Sequence, residues 1–547
     1  MNCRPPAARR LRAAARGWPA LLLAACLAAS AATPSEGERI YREGVLASGE
    51  ALAGARAGGD TIRGQAAACV TCHRPSGLGS SEGRIVVPPI TGKYLFRAHA
   101  TNVLDMSLPH VPGYTATREP HDARTLARAI REGVGPDGRA LSYLMPRYAL
   151  DDDAMASLTA YLAGLGNAAV PGVTEDTLHF ATIVAPDADP AQRAGMLDVL
   201  EHFFADKNAF LRGGQHPLKS SREIEYRVTR RWQLHVWALS GSPDRWDEQL
   251  RQFYRREPVF AVISGVGGRT WRPVHEFCQR EALPCLLPNV ALPVVREGDF
   301  YPVYFSRGVL LEADLMAGRI TEQRDSAPAR RVVQVYRRGD IGEEAAAALK
   351  GALPGDVEVR MHALRADAGD RSDVAQAIRE IAHDDQLVLW LRPDDLAMLP
   401  GGHAVGNALM SGEMGGLERA PLPAAWRAST RMAYGFDLPA ARRVRMNYPL
   451  TWFKVRHIPV VAEQVQTDTY VACGILSETL SEMLDSFVQD YLVERLETML
   501  SHRQVNGYYP RLSLAPGQRF ASKGGAFVRF EGADGPAIVA DSEWLTP

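Results

Sequence analysis

The sequence predicts a multidomain protein with an all-α domain near the N-terminus and a larger α/β region after it. Residues 34–166 carry amphipathic helical patterns around a C-x-x-C-H pentapeptide, whereas short apolar runs alternate with helical patterns from residue 177 onward. Such alternation is typical of parallel sheets built from βαβ units. The chain has 547 residues, a length that suits roughly two to four domains.

The composition is that of a soluble globular protein, with 46% hydrophobic and 23% charged residues. The formal net charge is −1, and the first 32 residues contain five Arg and no acidic residue. Without that segment the net charge would be −6. Because a negatively charged protein repels the phosphate backbone, we expect no binding to nucleic acid.

Residues 1–32 read as a secretory signal peptide. They combine an Arg-rich start, an apolar run over 18–29 that is too short to span a bilayer, and small residues before a cleavage site after Ala31 or Ala32. The run Leu23-Ala24-Ala25-Cys26 resembles a bacterial lipobox, so the alternatives for Cys26 are a lipid anchor or a place in an ordinary signal core. We expect a periplasmic protein, soluble or lipid-anchored, without a transmembrane segment.

The pentapeptide Cys69-Val70-Thr71-Cys72-His73 is the pattern of a c-type haem attachment site. Cys69 and Cys72 would bind the two vinyl groups of one haem c, and His73 would be the proximal iron ligand. The alternatives are a thioredoxin-like redox pair, which should open a helix in a βαβ unit, and a zinc half-site, which needs a second Cys/His pair. Neither context surrounds this motif.

The segments around the motif predict a small helical domain. We expect an amphipathic helix within 37–64, loops over the Pro- and Gly-containing stretch 75–120, and two helices that begin after Asp122 and Asp151. Gly133 should end the first of these two helices. Between them lies a G-x-D-G-R-x-L-S-x-x-M-P loop over 135–146.

This combination of motif, helix, Met-Pro loop and closing L-x-x-Y-L helix resembles a class I cytochrome c over residues 34–166. The resemblance implies that Met145 is the sixth iron ligand, opposite His73. A thioether ligand favours reduced iron and raises the potential, which suits electron transfer. It also implies that Pro146 stiffens the loop, and Tyr143 or Tyr148 is expected to line the pocket.

Other assignments of the sixth ligand remain open at this stage. Met145 would be a packing residue if Met106 took its place. A ligand at His99 or His110 would instead give a bis-His haem of lower potential.

After a linker over 167–176, the pattern changes to strands and helices in alternation. Strands are expected at 179–184, 258–264, 284–287, 331–336 and 386–391. Helices are expected at 191–204, 246–254, 271–281, 342–349 and 373–382. A break at 325–330 separates two such units. In order and landmarks, 177–500 resembles a type I periplasmic solute-binding protein of the branched-chain amino acid class, in which two α/β lobes close on a ligand at a hinge.

The same resemblance, which rests on the Gly-rich run 258–268, on 304–307 and on 468–470, implies a ligand site. A strand-to-helix loop would offer hydroxyl and backbone N–H groups to a small carboxylate or amino acid. The positions implied are Ser264, Gly265, Gly267, Thr270 and Tyr304. Two features depart from the family: Arg269 and Trp271 make the loop bulkier and more cationic, and no acidic partner for an amino group is evident. The alternative is a scaffold whose Gly-rich loop only turns the chain.

Three cysteines remain outside the signal and the haem motif. Cys278 and Cys285 are expected to form a disulfide, because they are close in sequence in an oxidising compartment. Its loop of about eight residues would contribute about 2.5 kcal/mol. Cys473 lies in an apolar segment and is expected to be a buried thiol. Residues 501–547 form a C-terminal extension with a strand over 525–530.

The favoured function is an exported c-type cytochrome whose solute-binding-like module docks a redox partner, such as a periplasmic dehydrogenase or a terminal oxidase, or senses a small molecule. The alternative is a substrate-binding protein of an ABC importer with an accessory haem. A third class, a haem enzyme such as a peroxidase, is disfavoured by the Met-Pro loop. The sequence contains no catalytic triad, P-loop or H-E-x-x-H pattern, so we expect an electron-transfer and binding protein and no enzyme.

Overall fold

The computed structural model describes residues 34–82, 85–97, 119–213, 230–323, 331–366, 371–401, 405–483, 486–501, 507–532 and 534–547. The expected signal segment and Cys26 lie outside these ranges, as do Met106, His99 and His110.

In the N-terminal domain, residues 34–166, the described α-helices are Glu36–Glu43, Val70–His73, Gly92–Leu95, Ala123–Glu132 and Asp152–Gly164, with a 3-10 turn at Gly64–Ala67.

Two of these helices begin and end where the sequence predicts. The Asp122 carboxylate accepts a hydrogen bond from the Thr125 backbone N–H at 2.6 Å, and Thr125 returns a bond to the Asp122 N–H, which completes a capping box. Gly133 ends that helix in the left-handed conformation, with φ of 75°. The Asp151 carboxylate caps the next helix through the Ala154 N–H at 2.8 Å.

The N-terminal domain is not all-α, which corrects the prediction. Its described residues form five short strands: β1 (Ala53–Ala55), β2 (Thr61–Arg63), β3 (Ser80–Glu82), β4 (Ile85–Val87) and β5 (Arg147–Tyr148). β2-β1-β5 form an antiparallel sheet and β3-β4 a two-stranded one. The helix expected within 37–64 stops at Glu43, since Gly44 turns left-handed and a Cβ there would lie 2.1 Å from the Gly64 carbonyl oxygen.

Lobe 1 of the α/β region is built on a five-stranded parallel sheet in the order β10-β9-β8-β6-β7. The strands are β6 (Thr177–Val184), β7 (Arg231–Ala238), β8 (Ala261–Ile263), β9 (Cys285–Leu286) and β10 (Pro302–Val303). The helices between them are Pro190–Gly213, Trp246–Arg256 and Arg272–Arg280, with a 3-10 turn at Pro243–Arg245. Strands β6, β8, β9 and β10 are largely buried and apolar, as expected for a sheet covered on both faces, whereas the edge strand β7 is partly exposed.

Lobe 2 repeats this topology. Its parallel strands are β11 (Val332–Arg337), β12 (Val359–Leu364), β13 (Gln386–Trp390), β14 (Asn407–Ser411) and β15 (Thr430–Tyr434), in the order β12-β11-β13-β14-β15. Its helices are Val309–Gln323, Ile341–Ala352, Arg371–Arg379, Pro393–Leu396, Gly412–Gly415 and Ala424–Arg427, with a 3-10 turn at Leu417–Arg419. The two-lobed α/β architecture predicted from the sequence is therefore present.

The chain crosses between the lobes three times, at 304–308, 435–438 and 507–525. After the second crossing it forms the helices Pro439–Val455, Glu463–Met483 and Gln489–Leu500; the second of these packs on the Pro190–Gly213 helix of lobe 1. The first and third crossings run side by side: Tyr304 pairs with Phe520, and the Phe305 and Tyr509 rings stack with centroids 5.3 Å apart.

The segment 501–547 is part of this architecture. It supplies the third crossing and two strands, β16 (Ala526–Phe530) and β17 (Ile538–Ala540), which extend the sheet of lobe 2 in antiparallel fashion next to β15. The strand expected over 525–530 is thus present. The segment therefore belongs to the sheet of lobe 2 and is not a separate extension.

The cysteine predictions in the α/β region are confirmed. A disulfide joins Cys278, near the end of the Arg272–Arg280 helix, to Cys285 at the start of β9, with their Cα atoms 6.2 Å apart. Cys473 is a buried free thiol. Within the described ranges, no helix combines the length and apolar character needed to cross a bilayer.

Candidate functional site

The C-x-x-C-H motif forms a single helical turn. Cys69 precedes the helix Val70–His73, and the His73 backbone N–H donates to the Cys69 carbonyl at 2.9 Å. Both cysteines are free thiols; Cys69 is half-buried and Cys72 is exposed. Because residues three apart share a helix face, the turn presents both thiols to the same side.

His73 is held in the form that an iron ligand requires. Its Nδ1 lies 3.0 Å from the carbonyl oxygen of Pro88, and since a carbonyl only accepts, the ring proton is placed on Nδ1 and the lone pair on Nε2. Burial lowers the pKa of His73 to about 4, so the imidazole is neutral at pH 7. Glycine at position 79 lets the chain pass close to the backbone of Val87 and Pro88, because a Cβ there would lie 2.2 Å from the Val87 carbonyl oxygen.

Met145 lies near the end of the 135–146 loop, just before β5. It is half-buried and packs on the same hydrophobic cluster as Cys69 and Val70. The residues after it enter β5, which pairs with β1, and the Tyr148 hydroxyl donates to the Ala67 carbonyl at 2.9 Å. The structure thus ties the Met-Pro loop to the segment just before Cys69.

Of the two tyrosines considered for the pocket, only Tyr148 is inside the domain. Tyr148 is buried, whereas Tyr143 is 71% exposed. The described part of the chain holds no group of three or more His, Cys, Asp or Glu side chains that could bind a metal ion. Haem iron needs no such group, because the porphyrin supplies four of its ligands. The thiol pair, the oriented neutral His73 and the nearby Met145 fit a covalently attached haem.

A second candidate site is the cleft between the two lobes. Its volume is about 480 Å³, and its lining includes seven acidic and four basic side chains. The cleft lies where the parallel strands of both lobes end, the position at which open α/β sheets bind ligands. Of the ligand residues implied by the resemblance, Gly267 and Tyr304 line it, whereas Ser264, Gly265 and Thr270 do not.

The hydroxyl groups expected to bind a ligand have partners within the protein. The Ser264 hydroxyl lies 3.1 Å from the Thr469 hydroxyl and accepts a bond from Asn289 at 2.9 Å. The Thr270 hydroxyl accepts from the Arg272 N–H at 3.3 Å. Tyr304 reaches the cleft, but its hydroxyl lies 2.8 Å from Nδ1 of the buried His275.

The backbone N–H groups expected to bind a ligand carboxylate are also occupied. The Asp187 side chain accepts hydrogen bonds from Gly268 N–H at 3.3 Å and Arg269 N–H at 2.8 Å. The fit depends on glycine at 268, since a Cβ there would lie 2.7 Å from an Asp187 carboxylate oxygen. A carboxylate of this chain therefore fills the anion position of the Gly-rich loop.

Ion pairs line the wall that lobe 2 contributes to the cleft. Arg392 binds both carboxylate oxygens of Asp340 at 2.6 and 2.7 Å, and Arg337 binds Asp395 through its Nε at 2.9 and 2.8 Å. Burial raises the pKa of Asp340, but the contact with Arg392 outweighs burial and lowers the pKa below its usual value. Arg269 of lobe 1 adds to this lowering. Two of the four basic side chains thus have carboxylate partners.

The acidic partner that the sequence did not reveal is present at the floor of the cleft. Asp468, on the Glu463–Met483 helix, and Glu413, on the Gly412–Gly415 helix, both line the cavity beside Tyr509. Asp468 is 3% exposed, and its Oδ1 has no hydrogen-bond partner. Burial, and then Glu413, raise the pKa of Asp468 well above its usual value, and burial raises that of Glu413 to about 7.

Signals for these residues exist in the sequence. Asp187 and Glu413 follow the buried strands β6 and β14 within three residues, which is where ligand-binding side chains of parallel sheets lie. Asp468 stands in a buried stretch of helix, and a buried charge requires a partner or a function. What the sequence does not show is that all three face one cavity.

The N-terminal domain is joined to lobe 1 through one face of the Gln489–Leu500 helix. Asp490, Glu494 and Glu497 are spaced i, i+4 and i+7, so they share that face. Their partners are Arg42 and Tyr301 for Asp490, Ser76 for Glu494, and Arg74 and Arg519 for Glu497. Arg74 directly follows His73, and Arg519 lies in the third crossing. The Arg519 carbonyl accepts a hydrogen bond at 2.8 Å from the N–H of Tyr304, which lines the cleft, so polar contacts run from the residue after His73 to the edge of the cleft.

No family model matches this chain, and no curated protein matches it. Solved structures that resemble it include a fatty acid ABC transporter substrate-binding protein from Thermomonospora curvata, with 15% identity over 70% of this chain and 95% of that chain and a TM-score of 0.48. A branched-chain amino acid transporter substrate-binding protein from Streptococcus pneumoniae, solved with isoleucine, has 9% identity over 68% of this chain and all of the other, with a TM-score of 0.48. A branched-chain amino acid ABC transporter protein from Thermus thermophilus with bound valine has 11% identity over 69% and 98% of the two chains and a TM-score of 0.45.

Proposed function

We propose that this protein is an exported ligand-binding protein that carries one covalently attached haem c and transfers electrons through it. The observation that supports this best is His73, a buried neutral imidazole whose Nδ1 faces the Pro88 carbonyl, one residue after the second of two free thiols. When bound, the haem would supply one-electron transfer between its ferrous and ferric states.

Each residue would have a distinct part in holding the haem. Cys69 and Cys72 would attach it through thioether bonds, His73 would present Nε2 to the iron, and Met145 would supply the second axial ligand. The Pro88 carbonyl would keep the imidazole oriented. Cys72 is exposed, so the porphyrin edge that it holds would lie near the surface, where a periplasmic dehydrogenase or oxidase could exchange electrons with it.

The test of covalent attachment is acid-acetone extraction after maturation in a host with c-type assembly. Haem that stays with the wild-type protein, and extracts freely from the Cys69→Ala/Cys72→Ala variant, supports the proposal. Free extraction of haem from the wild-type protein would refute it.

Axial ligation is tested separately by the weak near-infrared band of thioether-ligated ferric haem. Met145→Ala should abolish the band. Met155→Ala is the matched control: Met155 is a buried methionine of the same domain, and its truncation should lower stability but keep the band. A band that survives in Met145→Ala would assign the ligand elsewhere, with Met106 as the first candidate.

The cleft supports a second candidate, a substrate-binding protein for an ABC importer in which the haem is accessory. Both candidates need the lobes to bind a small molecule, and ligand in hundredfold excess over its dissociation constant would stabilise the folded protein by about 2.7 kcal/mol. They differ in what surrounds the gene: permease and ATPase genes favour the importer, and a periplasmic dehydrogenase gene favours the cytochrome. A change of haem potential on ligand binding would favour a sensing cytochrome, because such a ligand must bind the two redox states with different affinity.

A further inference from the structure

The floor of the interlobe cleft holds a buried acid without a partner. Asp468 is 3% exposed, lines the cavity, and has an Oδ1 atom without any hydrogen bond. A buried carboxylate is costly unless a cation or several donors compensate it. Arg442, the cation whose charge lowers the pKa of Asp468, is bound to Glu418 at 2.6 Å and to the Tyr434 hydroxyl at 2.6 Å. Asp468 therefore lines the cleft with a carboxylate that has one unsatisfied acceptor atom.

A second acid faces the same space from the other lobe. Glu413 comes from lobe 2 and Asp468 from a helix of lobe 1, and the two carboxylates repel each other. Within the described residues neither forms an ion pair. Two like charges brought together at low dielectric must be neutralised by protons or by a cation placed between them. Because each lobe supplies one acid, a cation there would hold the lobes together.

The aromatic side chains beside the acids suit an organic cation. Tyr509 and Phe305 both line the cleft, and their rings stack on each other. Aromatic faces attract ammonium groups and pack against the alkyl carbons attached to them. A cavity of about 480 Å³ accepts a small organic molecule.

The opposite corner of the cleft argues against a ligand carboxylate. Asp187 already accepts the Gly268 and Arg269 N–H groups, so an incoming carboxylate would have to displace it. Arg337 and Arg392 are each committed to a carboxylate of lobe 2. The remaining basic side chains, Arg269 and Arg338, are exposed.

We propose that the cleft binds a small organic amine without a carboxylate group, and that its ammonium is held between Asp468 and Glu413 beside Tyr509. This rests on the proposed ligand-binding function and names its ligand class. This ligand differs from the amino acid that the family resemblance implies. Asp187 already occupies the place where a ligand carboxylate would bind, whereas the place for an ammonium beside Asp468 and Glu413 is free.

The experiment is isothermal titration calorimetry of the haem-loaded full-length protein with a matched set of three compounds. Isoamylamine, leucine and isocaproate share a branched alkyl chain and carry the ammonium alone, both groups, or the carboxylate alone. We expect isoamylamine to bind at least about tenfold more tightly than leucine, and isocaproate to give no heat. Equal or tighter binding of leucine or isocaproate would overturn the amine proposal while leaving a ligand-binding function intact. No binding of any of the three would overturn both.

Two variants locate the ammonium site. Asp468→Asn should weaken isoamylamine binding by at least about tenfold, since it removes the charged partner but keeps the side-chain shape. Asp394→Asn is the control, because Asp394 also lines the cleft but is exposed; we expect less than about a twofold change there. Retained affinity in Asp468→Asn, with a melting temperature that shows it folded, would overturn the assignment.

Discussion

Two groups of buried or half-buried acids in the described part of the chain are compensated in different ways. On the Gln489–Leu500 helix, Asp490, Glu494 and Glu497 face the N-terminal domain, and each accepts hydrogen bonds from side chains or backbone of this chain. At the floor of the cleft, Glu413 and Asp468 face a cavity, and neither has an ion-pair partner among the described residues. Both groups are removed from water, so both must be compensated.

The difference separates structure from function. The interface acids have their partners built in, and removing one partner leaves the other charge buried. The cleft acids are compensated only by protons, and this lowers the stability of the fold unless a ligand supplies a positive charge. Substitutions should therefore have opposite effects in the two groups: destabilising at the interface, and neutral or stabilising in the cleft with loss of binding.

The largest expected effect is at Glu497. Glu497→Ala should lower the free energy of unfolding by about 3–5 kcal/mol, because it leaves the buried guanidinium groups of Arg74 and Arg519 without their carboxylate. Urea denaturation of the haem-loaded protein measures this, with Glu497→Gln as a control that keeps an acceptor and should lose less. A loss under about 1 kcal/mol would mean that the interface pairs contribute no more than surface pairs do.

The next effect concerns Arg74, which joins the C-x-x-C-H motif to that interface. Its φ of 67° and ψ of 163° lie in a region adopted almost only by glycine. Its carbonyl accepts the Tyr41 hydroxyl at 2.7 Å and its side chain binds Glu497, and these contacts hold it there. Arg74→Gly and Arg74→Ala lose the same ion pair, so the glycine variant should be more stable by about 1–3 kcal/mol. Equal melting curves would show that the backbone relaxes once the side chain is gone.

How much of this the sequence could predict depends on the range of the interaction. The helix caps at Asp122 and Asp151, the Cys278–Cys285 bridge and the alternation of strands and helices in parallel sheets follow from residues close in sequence, and these predictions are confirmed. The end of the first helix at Glu43 could not be predicted, because the hydrophobic pattern continues past Gly44, while the tight approach of that residue to Gly64 is a tertiary contact.

The residues of the cleft could not be predicted, because they lie far apart in the sequence. The Gly-rich loop was identified, but the residue that fills it, Asp187, lies about eighty positions earlier in the chain. Glu413 and Asp468 come from different lobes and meet only because the chain crosses between them. A helical stripe such as Asp490, Glu494 and Glu497 is visible as a spacing, but the sequence does not tell that it faces another domain.

The third prediction is the pH dependence of amine binding. Burial raises the pKa of Glu413 to about 7, and the titratable groups whose pKa values its charge affects are Glu312, Asp468 and Tyr509. Below that pH the carboxyl group is protonated and must lose its proton before it can pair with an ammonium. Isoamylamine affinity measured by calorimetry should therefore rise by about tenfold from pH 6 to pH 8, with proton release. A flat profile would show that Glu413 does not contact the ligand.

The smallest effect, and the one that contrasts most directly with Glu497, is the stability of Asp468→Asn. Burial raises the pKa of Asp468 in the folded state, so the folded protein retains a proton that the unfolded chain loses. Below pH about 4 both states hold the proton, and as the pH rises the free energy of unfolding falls. Asparagine does not ionise and escapes this loss. Without ligand, Asp468→Asn should therefore match the wild type near pH 4 and exceed it by about 1 kcal/mol at pH 8 in urea denaturation, while the exposed control Asp394→Asn should match the wild type at both. If Asp468→Asn instead destabilised the protein at pH 8, as expected for Glu497→Ala, the cleft acids would be structural like those of the interface.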